Sequence, residues 1–456
     1  MNQFEIRTAA SIGLLYVVRM LGLFMVLPVL PLLVDDIEAA TPALIGLAIG
    51  AYGLSQALLQ IPLGALSDRI GRKPVILGGL LVFIAGSLVA AFAENIYGII
   101  LGRLLQGIGA IASTLLALIS DVTRVEHRSK VMAIVGVSIG GSFGLALILG
   151  PLLAGLAGLR GVFLFTAAAG IVGLIVVVCL VPTPTVRSRD PGANVTITRI
   201  LPVLAIRDLR RTAFGIFSLH FILMSSFIVL PLLMEATGRI AGSEHATVYF
   251  QVLLASFVLM TPLMWLSDRP AFMRMLLPAM ITVLIVASLL MSKVADYYPV
   301  LATMMLFFMA FNLLEVILPA MVSKVAPVGE RGTAMGIYST AQFAGGFAGA
   351  AVGGLILGAS DISYLMYVNV ALAVAWFLYA LGAGRPGNYK TITCSLPNQD
   401  QLSASQVVDA LLSVPGVLDV ALIEEEHLAY VRVDLDQYDE DGLSRLKTPT
   451  LEVISQ

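Results

Sequence analysis

The chain has 456 residues, of which 58% are hydrophobic and 12% charged, with a net charge of −2. Soluble domains run at about 45–50% apolar and about 25% charged, so an ordinary soluble enzyme or binding domain is excluded and lipid is the expected solvent. The two cysteines, Cys179 and Cys394, lie far apart in unlike surroundings, which argues against a disulfide framework or a metal site.

A membrane-spanning helix needs about 20 mainly apolar residues. Twelve runs qualify in chain order: 8–34, 43–66, 74–93, 97–120, 131–154, 162–181, 212–234, 247–266, 275–292, 300–323, 333–357 and 363–382. They are too long for barrel strands and do not alternate, so a closed barrel is excluded. The first run reads as a span and not a signal peptide: it is long, opens on Glu5 and Arg7, and has no small-x-small cleavage site.

Between the second and third runs lies Gly64-Ala65-Leu66-Ser67-Asp68-Arg69-Ile70-Gly71-Arg72-Lys73. Such a charged link between apolar runs reads as a cytoplasmic turn. Asp68 and Arg72 are four residues apart and share a face of a helical turn. Topogenic charge alone would explain the basic residues, but neither Asp68 nor the glycines. Lys and Arg number sixteen in the even-numbered loops and three in the odd ones. The positive-inside rule then places both termini in the cytoplasm, as expected for a multi-pass protein of a bacterial inner membrane.

A repeat divides the chain. Val29-Leu30-Pro31-Leu32-Leu33 returns as Val229-Leu230-Pro231-Leu232-Leu233, and Pro62-Leu63 with Leu66-Ser67-Asp68-Arg69 returns as Pro262-Leu263 with Leu266-Ser267-Asp268-Arg269, both 200 residues on. Two six-helix halves are expected, at 1–181 and 212–385. A linker at 182–211 carries net charge +4, suited to anionic headgroups. Residues 386–456 carry net charge −8 and read as a separate cytoplasmic domain. Strands near Ile392, 417–423, 428–433 and 451–454, with helices after Ser403 and near 441–446, give the order βαββαβ of a ferredoxin-like α+β fold.

Ionisable residues inside spans are costly and normally face a cavity or a partner. Four stand out: Arg19, Arg103, His220 and Glu315. Asn312 shares a helical face with Glu315, and Pro319 strips the carbonyl of residue 315 of its helical partner. Desolvated carboxyls and imidazoles are the groups able to exchange protons near neutrality, so Glu315 and His220 are candidate proton carriers, with Asp121 in reserve. Permanently hydrogen-bonded core residues are the rival reading. Arg103 keeps its proton, and is expected to hold an acid ionised or to bind an anion. Arg19 is expected to snorkel or to pair with polar groups of a neighbouring helix. Tyr52, Gln56 and Gln60 form one stripe of helix 2 and, with Gln251, Asn312, Tyr338 and Gln342, are candidates for lining a cavity; interhelical hydrogen bonding is the rival reading. Glycine rows at Gly136, Gly140, Gly144 and at Gly345, Gly349, Gly353 are expected to let helices approach closely.

The spacing G-x-x-x-D-R-x-G-R-K at 64–73 resembles the signature loop between helices 2 and 3 of the major facilitator superfamily. Arg103-Leu104-Leu105-Gln106-Gly107-Ile108-Gly109-Ala110 resembles that family's helix 4 motif. Gly150-Pro151-Leu152-Leu153-Ala154-Gly155 resembles its helix 5 antiporter motif, with Ala154 in place of a glycine. Leu27-Pro28-Val29-Leu30-Pro31 resembles the helix 1 signature of twelve-helix drug:proton antiporters, and with the acidic tail the chain is similar to bacterial YajR-type transporters. The resemblance implies an all-α membrane protein with two six-helix halves. It implies that Asp68 sits near the N-terminus of helix 11 and that Arg72 pairs with Asp121. Together with Gly64, Arg69, Gly71 and Lys73 these residues form a cytoplasmic latch that favours the outward-open state.

The expected function is a proton-coupled exporter of amphiphilic small molecules. The expected partners are a small-molecule substrate, protons and the lipid bilayer, in a monomer that needs no nucleic acid, metal or cofactor, and the tail can hold a ligand of its own. The alternatives are a proton-independent metabolite exporter and a transporter-like sensor that signals through the tail. No nucleotide-phosphate loop or catalytic constellation supports an enzyme.

Overall fold

The computed structural model describes residues 3–109, 111–123, 125–181, 197–240, 242–267, 270–327, 330–382, 389–395, 404–423, 428–435, 437–439 and 452–454. Helices run along the apolar segments: α1 Gln3–Phe24, α2 Pro42–Ile70, α3 Arg72–Ala91, α4 Ile96–Ile108, α5 Ala112–Val122 and α6 Val125–Cys179. After the linker come α7 Ile200–Ala205, α8 Arg207–Ala236, α9 His245–Ser267, α10 Pro270–Met291, α11 Tyr297–Val325, α12 Arg331–Ala359 and α13 Ile362–Leu381. The twelve expected spans correspond to α1, α2, α3, the α4–α5 pair, the two arms of α6, and α8 to α13.

Several boundaries differ from the sequence expectation, each for a local reason. Helix 1 was expected to reach residue 34, but α1 stops at Phe24 and the chain continues through turns into a 3-10 segment, Leu30–Leu33. Pro28 and Pro31 lack the donors that a continuous helix would use. The repeat copy at Pro231 lies inside the unbroken α8, so equal sequence does not give equal backbone here. Span 4 is split at Gly109, which ends α4. Spans 5 and 6 form one assigned helix with a reversal at Ala157 (φ −143°, ψ 17°) and Gly158 (φ 64°, ψ −169°). The left-handed φ of Gly158 is one that glycine adopts freely.

The halves meet along α2 and α12. A side chain at Gly46 would run into Ala350 O and Gly354, and one at Gly354 into Pro42 O. Gly50 and Gly53 stand 3.0 and 2.9 Å, measured from an ideal Cβ, from Phe347 O and Phe343 O. These contacts use the N-terminal half of α2 and the C-terminal half of α12, away from the basic loops. Toward the basic-loop end, a Cβ at Gly136, Gly140 or Gly141 on α6 would meet nothing within 4 Å. The α2–α12 seam is therefore tightly packed at the end away from the basic loops. The helix 5 glycine row expected to pack has only Gly144 near a partner, Leu253 at 3.7 Å. The helix 11 row does pack, with Gly345 and Gly349 against Phe217 O and Phe221 O of α8 and Gly353 beside Ser225.

The tail is a four-stranded antiparallel sheet, β1 Tyr389–Ser395, β2 Val417–Ile423, β3 Leu428–Asp434 and β4 Glu452–Ile454, with spatial order β2-β3-β1-β4. α14, Ala404–Leu412, connects β1 to β2. This is the ferredoxin-like arrangement, around a small core of Cys394, Leu411, Val414, Ala429, Val431 and Val433. The helix expected near 441–446, the Ser403 cap, Asp268 and Arg269, and residues 182–196 of the linker lie outside the described residues.

Candidate functional site: a cavity between two half-bundles

Each element brings its functional side chains to one place by packing. Gly71, with φ 104° and ψ 154°, ends α2 and opens α3. A Cβ is strained at that φ, which accounts for the glycine in the signature loop. Arg72, 8% exposed, donates from Nε to Asp121 Oδ2 at 3.0 Å and from Nη1 to Ser67 Oγ at 2.7 Å, and it pairs with Asp68. Lys73 Nζ donates to Val181 O at 3.0 Å, where a cation suits the end of α6. Gly64 lies 3.1 Å, measured from an ideal Cβ, from Ser113 Oγ and lets α2 approach α5. Arg69 is exposed. The loop is thus a folded cluster of charges within one half-bundle.

Arg103 has a different destination from the one expected. Its Nη1 donates to Gly22 O at 2.6 Å and to Gln106 Oε1 at 2.9 Å, its Nη2 to Leu23 O at 3.2 Å and its Nε to Ala48 O at 3.4 Å. Gly22 and Leu23 belong to the last turn of α1, whose carbonyls lack helical partners. Arg103 therefore caps α1 where the helix-breaking prolines follow, and its guanidinium stacks over Tyr52 at 5.0 Å. The helix 4 glycines fit the same corner: a side chain at Gly107 would strike Tyr52 O. In the helix 5 motif, Gly150 packs against Met25 O, Pro151 lies inside α6, and Gly155 has nothing within 4 Å of its Cβ position.

A cavity of ≈ 90 Å³ lies between the halves, room for several waters. Its N-terminal wall is apolar: Met20, Leu23 and Phe24 on α1, Ile49, Gly50 and Gly53 on α2, and Ile139, Gly140 and Phe143 on α6. Its C-terminal wall carries the polar groups: His220 on α8, Asn312 and Glu315 on α11 and Gln342 on α12, among Met224, Phe311, Phe343 and Gly346. Gln342 Nε2 donates to Glu315 Oε1 at 2.9 Å and lies 2.9 Å from His220 Nε2. His220 Nε2 is 3.9 Å from Glu315 Oε2. Among the described residues Glu315 Oε2, His220 Nδ1 and Tyr338 Oη have no hydrogen-bond partner. Asn312 Nδ2 reaches Ser256 Oγ at 3.5 Å.

The structure brings Glu315, His220, Asn312 and Gln342 together. The helix 2 stripe goes elsewhere. Tyr52, Gln56 and Gln60 are buried inside the N-terminal half, where Gln56 Oε1 accepts from Arg19 Nη2 at 2.7 Å. Gly50 and Gly53 face the cavity in their place, and a search for polar side chains passes over glycine. Gln251 on α9 is exposed, and Tyr338 is buried one turn from Gln342. Among the described residues no group of three His, Cys, Asp or Glu side chains is placed to hold a metal.

Two pseudo-equivalent bundles around a central cavity define a membrane transporter of the alternating-access kind. The sequence profile of the Major Facilitator Superfamily matches residues 12–313 and 213–392, and the chain belongs to that family, as a secondary transporter and not an enzyme. It is 38% identical over 436 residues, 95% of each chain, to the inner membrane transport protein YajR of Escherichia coli strain K12. It is 34% identical over 148 residues, 32% of this chain and 36% of the relative, to the class H tetracycline resistance protein of Pasteurella multocida. Among solved structures, a bacterial homologue of the human lysosomal transporter Spinster, inward-facing and occupied, superposes with a TM-score of 0.68 at 14% identity, covering 84% of this chain and 97% of the other.

Proposed function

We propose that the protein is a proton-coupled antiporter that exports amphiphilic small molecules across a bacterial inner membrane, with both termini cytoplasmic. The observation that carries this reading is the one-sided chemistry of the cavity: an apolar, aromatic wall faces a wall bearing Glu315, His220 and Gln342. Glu315 is the proton carrier, His220 its partner, and Gln342 connects them. The partial likeness to a tetracycline resistance protein supports export, and the inner-membrane relative supports the location. Entry of each proton down the potential releases roughly 2.3 kcal/mol per 100 mV, which drives substrate outward when proton and substrate occupy alternate states. The cluster of Arg72, Asp68 and Asp121 serves as the latch of the closed cytoplasmic side.

A substrate panel in proteoliposomes under an imposed pH gradient tests this. Glu315→Gln should abolish gradient-driven accumulation while sparing substrate exchange, and His220→Gln should do so more weakly. Wild-type uphill transport with an unchanged pH profile in Glu315→Gln would remove Glu315 from the mechanism. A substrate flux that never moves protons would point to the uncoupled exporter, and absence of flux for all substrates to the sensor.

A further inference from the structure

Two arginines are buried in the N-terminal half, and their hydrogen bonding is unequal. Arg103 bonds three backbone carbonyls and Gln106. Arg19, 2% exposed, makes one hydrogen bond, from Nη2 to Gln56 Oε1 at 2.7 Å. Its Nε and Nη1 have no partner among the described residues. A guanidinium carries five N–H donors and keeps its charge. Buried polar groups are normally satisfied, and a lone cation in a span is costly.

The acids of the N-terminal half whose side chains are described are committed elsewhere. Asp68 and Asp121 pair with Arg72, and Glu5 Oε2 lies 3.8 Å from His127 Nε2. Asp35, Asp36, Glu38 and Glu94 lie outside the helices. Glu315 belongs to the other half, in contact with Gln342. Whichever Nη2 hydrogen serves Gln56, one complete edge of the guanidinium, with two parallel N–H groups, stays open. Such an edge matches a carboxylate.

The position is also suitable. Arg19 is four residues from Leu23 on α1, and Gln56 is three from Gly53 on α2. Leu23 and Gly53 both line the cavity. Met20, the residue after Arg19, also lines the cavity, so the pair lies beside the cavity wall, within one helical turn (about 5.4 Å) of its lining and on the side toward the basic loops. The flexible arginine stem can carry its head group across that distance.

We propose that Arg19 is the anchor for a carboxylate on the transported molecule, with Gln56 steadying the guanidinium. The apolar body of the substrate then lies against Phe24, Phe143, Phe311 and Phe343. The substrate class is an amphiphilic organic anion. This rests on the reading of the central cavity as the substrate path, but not on the role of Glu315.

The test uses the full-length protein in lipid nanodiscs and reads the shift in melting temperature with added ligand at fixed ionic strength. The probes are benzoate, octanoate and naphthoate, with sodium chloride, benzyl alcohol and tetraphenylphosphonium as controls. At least one carboxylate should stabilise the wild type. Its apparent affinity should fall at least tenfold in Arg19→Gln and severalfold in Arg19→Lys, which keeps the charge but not the fork. If Arg19→Gln does not fold, Arg19→Lys decides. The proposal is overturned if no carboxylate stabilises the wild type, if the shift survives both Arg19 variants, or if chloride protects as well. It is also overturned if only tetraphenylphosphonium stabilises. Ligand-shifted melting is read without a pH gradient, whereas proton coupling is read as gradient-driven accumulation, so loss of proton coupling and loss of the anion site give different results.

Discussion

Arg72 and Arg103 are both buried arginines, and substitution should affect them in different ways. Asp121, whose side chain is 2% exposed, pairs with Arg72. Arg72→Ala removes that buried ion pair, and losing one partner of such a pair is destabilising. It should lower flux and shift spin-label distances between the halves away from the outward-open state, while the protein still reaches the membrane. Unchanged distances and flux would leave the signature loop with a topogenic role only. Arg103→Lys keeps the charge but cannot reach Gly22 O, Leu23 O and Ala48 O together. Each lost bond from a charged donor is worth about 1.5–3 kcal/mol, so a clear drop in melting temperature should appear without any change of substrate preference. A changed preference at an unchanged melting temperature would return Arg103 to the substrate site. The pairing of Arg72 is legible in the sequence because Asp68 lies one helical turn away and the family resemblance supplies Asp121. The destination of Arg103 is not, since its acceptors are backbone carbonyls that any residue could provide.

Helix seams come in two kinds. Gly349 on α12 packs against Phe221 O inside the C-terminal half, whereas Gly46 and Gly53 on α2 pack against α12 across the halves. Substitution within a half should cost folding, and substitution between halves should change conformation. Gly349→Val is expected to lower melting temperature and yield. Gly53→Val is expected to leave stability nearly unchanged and to raise the labelling of cysteines placed on the outer side of the cavity. Equal loss of stability in both variants would mean that the α2–α12 seam is a fixed part of the fold. The spans themselves are legible from hydropathy because lipid imposes both length and apolarity. What stays hidden is which face of α2 meets the cavity. Tyr52, Gln56 and Gln60 have the polar periodicity of a lining, but Arg19 draws Gln56 inward, and Gly50 and Gly53 leave the opening. The α6 row of Gly136 and Gly140 is equally visible in sequence, and its neighbours depend on the state the molecule is in.

At the scale of the whole molecule, the tail meets the membrane bundle at a defined point. Arg432 Nη1 on β3 donates to Val325 O, the last residue of α11, at 2.6 Å. The tail reads in the sequence as a separate domain, with no docking site marked on it. Its fold is legible from brief strand alternation, but its docking is not, because an arginine on a carbonyl leaves no sequence pattern. Removing residues 388–456 should preserve insertion and some flux while changing the rate, and Arg432→Ala should reproduce part of that change. Complete loss of flux in a correctly folded truncation would make the tail part of the transport machinery. The same contact has a thermodynamic corollary. α11 bears Glu315 midway, Pro319 one turn further on, and the anchored domain at its end. If that helix end shifts as the halves rock, proton occupancy and tail attachment act on one common equilibrium, and such coupling is reciprocal. The energised membrane would then be readable from the cytoplasm, as a change in how readily a protease or an antibody fragment reaches the sheet.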